Sequence, residues 1–119
     1  MNTVSTTDAG REIIQSLTEA TAFAANGIVS RTLLRTGNLK IVLFCFDQGQ
    51  EMAEHTSTQA AVVQVLSGEC ELILGGKVHR ARAGDMVYMP PNLPHALKAT
   101  GRFSMLLTLS KPGTQNSEP

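Results

Sequence analysis

Gly49–Gly68 reads GQEMAEHTSTQAAVVQVLSG, and Gly84–Ala99 reads GDMVYMPPNLPHALKA. Each stretch joins a turn glycine to a histidine and to a short apolar run. After His55, Ala61, Val63 and Val65 alternate with Val62, Gln64 and Leu66. That is the period of a strand, whose successive side chains point to opposite faces. His95 and Leu97 likewise alternate with Ala96 and Lys98, so His95 is expected to point inward. The apolar run IVLFCF, Ile41–Phe46, is apolar on both faces and needs a cover on each. Dimerisation through one sheet would provide it.

The same texture continues outward. Candidate strands are Ile28–Arg35, Lys40–Asp47, Ala61–Leu66, Cys70–Leu74, Lys77–Arg82, Met86–Met89, His95–Ala99 and Phe103–Leu109. Turn signals separate them, and Gly75-Gly76 reads as a tight hairpin. Short strands at such spacing predict a sandwich or closed barrel rather than βαβ units. In the last strand, Phe103, Met105, Leu107 and Leu109 form the expected interior set. Before the strands, Ile13, Ile14, Leu17 and Ala20 give a helical stripe, predicting a short helix over 9–21 capped by Thr7 or Asp8. The expected organisation is an N-terminal extension over 1–26, one barrel domain over 27–111 and a disordered tail over 112–119.

The chain has 119 residues, the size of one domain, and 42% hydrophobic residues, enough for a core. Aromatic residues make up only 4%, with no Trp, which disfavours stacking on bases or sugars. Ten basic and ten acidic residues balance, and no basic stripe occurs. Nucleic-acid and membrane partners are therefore not expected. The longest apolar run is too short to span a bilayer, and MNTVSTTDAGRE carries no signal-peptide pattern. A cytoplasmic location is the expectation. Cys45 and Cys70 lie in apolar runs and read as buried thiols.

The two quoted stretches resemble the paired motifs of the cupin superfamily. Gly49, His55 and Gly68 match the first motif; Gly84, Pro90 and His95 match the second. The resemblance spans roughly residues 32–109. It implies an all-β fold, a double-stranded β-helix or jelly-roll barrel, here with a short N-terminal helix. In metal-binding cupins two histidines and a glutamate of the first motif join the histidine of the second around one divalent metal. Carried onto this chain, those positions are His55, Ser57, Ala61 and His95. Two of the four are ligands, which would hold Fe, Mn, Ni, Cu or Zn only weakly. Asn92 and Ala99 also depart from the pattern, at positions that shape turns. Glu51 and Glu54 flank His55 and could restore a carboxylate through a loop shift.

His55 and His95 are thus the candidate metal ligands, and Ser57, Gln59, Tyr88 and Met105 the candidate lining of a ligand pocket. Met52, Met86 and Met89 read as core filler. His79, beside Arg80 and Arg82, reads as a surface residue. The expected function is binding of a small organic ligand in the barrel mouth by a homodimer, with one weakly held divalent metal as a further option. The alternative is a metal-dependent dioxygenase or isomerase using His55 and His95. Whether the chain is an enzyme stays open at this level. A transcription-regulator role would need a helix-turn-helix pair, and only one helical segment is expected.

Overall fold

The computed structural model describes residues 10–110. One short helix, α1 (Leu17–Ala20), precedes nine strands. These are β1 (Ile28–Arg35), β2 (Leu39–Phe46), β3 (Glu51–His55), β4 (Ala61–Ser67), β5 (Glu69–Leu74), β6 (Lys77–Arg82), β7 (Met86–Met89), β8 (His95–Lys98) and β9 (Phe103–Ser110). They form two antiparallel sheets, ordered β1-β2-β9-β4-β7 and β3-β8-β5-β6. Chain neighbours often sit in different sheets, so the strands wind as a jelly roll. Between β5 and β6, Gly75 and Gly76 take φ of +58° and +85°. Both central residues of this two-residue turn are left-handed, which is what makes it a tight hairpin.

Side chains from both sheets meet in one interior. Phe46 and Phe103 are register partners and stack at 4.7 Å between ring centroids. With Val65, Cys70, Ala81 and Ala99 they fill one end of the barrel solidly. Along the same strands Phe44, Met105, Leu107 and Leu109 line the other end, where the filling is incomplete. The expected interior face of β9 is therefore observed.

A second, smaller core lies on the outer face of the five-stranded sheet. Leu33, Leu43 and Cys45 are covered there by Leu17, Ala20 and Phe23. The chain's own N-terminal segment thus supplies part of the cover that IVLFCF required. Arg102 fastens this segment: its guanidinium lies 4.8 Å above the Phe23 ring and 3.5 Å from the Asp47 carboxylate.

Three expectations need correction. The helix occupies four residues rather than the stretch 9–21. Ser16 caps it, its hydroxyl accepting from the Glu19 N–H at 3.1 Å, and residues 12–16 before it are not helical. The first part of the expected stripe has no surface to pack on: Ile13 is 40% and Ile14 98% exposed, while Leu17 and Ala20 pack on the sheet. Thr7, Asp8 and the tail 112–119 lie outside the described residues. Second, Met86 is not core filler but is exposed on the outer face of β7. Third, Glu51–His55 forms a strand that alternation did not reveal, because three of its five side chains are charged or imidazole and four of them are exposed. It is an edge strand held by its ladder with β8.

Candidate functional site

The incompletely filled end of the barrel is a cavity of about 290 Å³. Phe44, Met105, Leu107 and Leu109 form one wall, and Met52, Leu72 and Leu97 face them from the other sheet. Four polar side chains break this apolar lining: His55, Ser57, Gln59 and His95. Among the described residues, no Asp, Glu, Lys or Arg lines it.

His55 reaches the cavity because of a bulge. On β3, Met52 pairs with Leu97 and His55 pairs with His95, so three steps on one strand oppose two on the other. Simple alternation from the inward Met52 would have turned Glu54 inward and His55 out. The extra residue reverses the parity, a re-aiming that bulges commonly perform. The two rings come to lie 4.2 Å apart between centroids, inclined at 60°. His55 is exposed at the mouth; His95 is partly buried.

Each imidazole is held by its own strand. His55 Nδ1 lies 2.9 Å from the Ala53 carbonyl oxygen, and His95 Nδ1 lies 2.8 Å from that of Leu93. A carbonyl oxygen can only accept, so both Nδ1 atoms donate. The neutral form of each ring therefore carries its free lone pair on Nε2. This is the arrangement in which a histidine serves as metal ligand, general base or hydrogen-bond acceptor.

The loop between β3 and β4 supplies the remaining polar groups. Ser57 Oγ accepts from the Gln59 backbone N–H at 3.1 Å, and the Ser57 carbonyl accepts from Asn92 N–H at 2.7 Å. Asn92 has φ of +68°, so it adopts the left-handed conformation of the glycine it replaces in the motif. The second bond ties the two motif stretches together beside the site.

A four-ligand metal centre does not fit these residues. Ala61 faces the cavity from β4 and has no donor atom. Among the described residues, no three His, Cys, Asp or Glu side chains converge. Glu51 and Glu54 are exposed and do not line the cavity. Two imidazoles alone remain.

Of the expected pocket residues, Ser57, Gln59 and Met105 are brought together with the two histidines, and Tyr88 is not. Tyr88 pairs with Val62 on the outer face of β7 and is 56% exposed. It borders a separate surface depression with Met86 and His79. Tyr88 shares a face with Met86, opposite the buried Met89. Phe44, Met52 and Leu97 also line the cavity and were not named as pocket residues from the sequence, although Met52 reads as core and Leu97 as sharing the face of His95. For Phe44 alternation alone was uninformative, since both faces of β2 are apolar. Its pairing with Met105 is what places it inside. His79 is exposed on β6, as expected. Cys45 and Cys70 are buried, and desolvation followed by the neighbouring Glu69 pushes the Cys70 thiol up to about 11.

Fold and site together define a small jelly-roll barrel with a ligand-sized cavity at one end. A cupin-domain family model matches residues 42–109, and the chain belongs to that cupin family. A conserved protein of unknown function from Streptococcus pyogenes is similar at 32% identity and a TM-score of 0.80, over 96% of this chain and 98% of that one. A cupin 2 conserved barrel domain protein from Leptotrichia buccalis shares 34% identity at a TM-score of 0.76, over 80% of this chain and 46% of that one. A mutant of the salicylate 1,2-dioxygenase from Pseudoaminobacter salicylatoxidans shares the fold at 21% identity and a TM-score of 0.69. The match covers 77% of this chain and 28% of that one. Comparison with curated proteins gives no match. No helix among the described residues is long and apolar enough to cross a membrane.

Proposed function

We propose that this cupin binds a small organic ligand in the barrel mouth, with His55 and His95 as its polar anchors. The observation that carries this reading is the pair of Nδ1-tethered imidazoles on an otherwise apolar cavity. Binding sites of this kind use apolar walls for affinity and a few fixed polar groups for orientation. The space is adequate, since an apolar cavity of about 150 Å³ already takes up benzene.

A second reading is catalytic. A neutral imidazole with a free Nε2 lone pair is also a general base, so either histidine could abstract a proton from the bound ligand. The metal-dependent form of this reading has weaker support, because the ligand set stops at two histidines.

A fragment screen by ligand-observed NMR, with metal analysis of the untagged protein, tests both. Organic ligands that bind the wild type and are lost in the His55→Ala/His95→Ala variant are expected, with metal far below one equivalent. Near-stoichiometric metal that disappears in the variant would overturn the organic-ligand reading in favour of the metal enzyme. A homodimer is the proposed assembly. Its support is the outer face of β4 and β7, where Leu66, Met86 and Tyr88 are 36%, 67% and 56% exposed. Sedimentation at a single-chain mass would remove it.

A further inference from the structure

We infer that the ligand presents an uncharged hydrogen-bond donor, an alcohol or phenol hydroxyl on an apolar body. This rests on the organic-ligand reading above and narrows it. Three observations converge on it. Both Nδ1 protons are already committed to the Ala53 and Leu93 carbonyls, so each neutral ring has only an acceptor left, at Nε2. The rings sit as register partners, 4.2 Å apart between centroids, so two acceptor-bearing rings share one wall. Among the described residues, no charged side chain lines the cavity to receive an ionic group.

A hydroxyl fits this wall by donating to an Nε2. A carboxylate presents only acceptors, so neither Nε2 lone pair can hold it. It is then a buried charge lacking a partner, which is costly. An ether or ketone leaves both nitrogens unsatisfied behind an apolar body. Ser57 and Gln59 do not reverse the preference. The Ser57 oxygen accepts from the Gln59 backbone, which leaves one rotatable O–H donor against two fixed Nε2 acceptors, and the Gln59 amide offers a donor or an acceptor equally. Discrimination therefore falls to the histidines. A site built to pair with a hydroxyl rejects the analogue that lacks it far more strongly than a merely apolar pocket does.

The test compares three probes of similar size: 4-ethylphenol, its isomer 4-methylanisole, and 4-methylbenzoate. Binding is measured by calorimetry with a chelator present at neutral pH. The phenol is expected to bind at least about tenfold tighter than the ether and the benzoate, the preference that a fixed acceptor on an apolar wall gives to a ligand able to donate to it. The His55→Ala/His95→Ala variant, which removes both acceptors, should bring phenol and ether to equal affinity while the circular dichroism spectrum is unchanged. His55→Phe/His95→Phe should do the same if the first variant fails to fold. Equal or tighter binding of the ether or the benzoate leaves the pocket intact and overturns the donor inference. Phenol binding that vanishes only when the chelator is added also overturns it, in favour of a metal. No binding by any of the three removes the pocket reading itself.

Discussion

His55, and not Glu54, faces His95 because β3 carries one residue more than β8 between their two register pairs. The bulge decides the chemistry of the mouth. With regular alternation a carboxylate would sit beside His95, and the pair would be an acid and an imidazole. With the bulge the pair is two imidazoles, each steadied by a carbonyl two residues before it. An apolar cavity with paired acceptors follows from that single extra residue.

Restoring the missing ligand should convert the site. Ala61 is 5% exposed on β4 and lines the same cavity as both histidines. In Ala61→Glu a carboxylate would join them as a third ligand. Partners one layer behind a metal ligand already change affinity by roughly 10–100-fold, so a direct ligand should add at least that much. Zinc or nickel titration should show at least about tenfold tighter binding in the variant than in the wild type. Equal affinities would mean that the histidines do not converge on a metal position at all.

The turn between β4 and β5 should not tolerate a side chain. Gly68 has φ of +73°, and a Cβ there would collide with the Arg102 carbonyl oxygen and lie 2.7 Å from Phe103 Cβ. The obstructing atoms are backbone and a fully buried residue, so neither can yield cheaply. Left-handed strain and overpacking together suggest a loss of about 2–4 kcal/mol for Gly68→Ala. Thermal unfolding should fall by roughly 10 °C or more. A variant melting with the wild type would show that β9 can shift away from the turn.

Much of this was legible in the residues. Period-two alternation located eight of the nine strands to within a residue or so at each end, because their inner and outer faces differ or because turn residues bound them. Motif spacing brought His55 and His95 to one site. Two things were hidden for physical reasons. The edge strand β3 has too few apolar side chains to announce itself, since its ladder rather than its burial holds it. The inner face of β2 could not be chosen, because its outer face packs on Leu17, Ala20 and Phe23 and is equally apolar. The helix failed for the opposite reason: its stripe was present in sequence but only its last part found a surface.

Acid should loosen the N-terminal segment from the barrel. The backbone N–H groups of Asn26 and Gln48 donate to the Asp47 carboxylate at 2.7 and 2.9 Å. These two bonds, aided by Arg102, hold its pKa below the ordinary 3.8. A carboxylate whose folded value is depressed contributes stability above its unfolded pKa and loses it as pH falls through the folded one. Stability should therefore drop below pH 3.8 in the wild type, and Asp47→Asn should flatten that part of the curve. Denaturant midpoints measured from neutral pH downward would check this. Parallel curves for the two proteins would remove Asp47 from the account.

The two thiols should be silent until the chain unfolds. Cys45 is 1% exposed in the outer core and Cys70 is 0% exposed in the barrel interior. The thiolate is the reactive form, and burial with Glu69 nearby keeps the Cys70 thiol protonated up to about 11. Access and ionisation are thus both denied to Cys70, and access is denied to Cys45. With Ellman's reagent at pH 8 the native protein should show almost no fast reaction, and both thiols should titrate in denaturant. One thiol reacting at once in the native protein would mean that a core opens on that timescale. A variant lacking Cys45 would then say which: persistence of the fast phase would place the opening in the barrel around Cys70, and its loss would place it under the N-terminal segment.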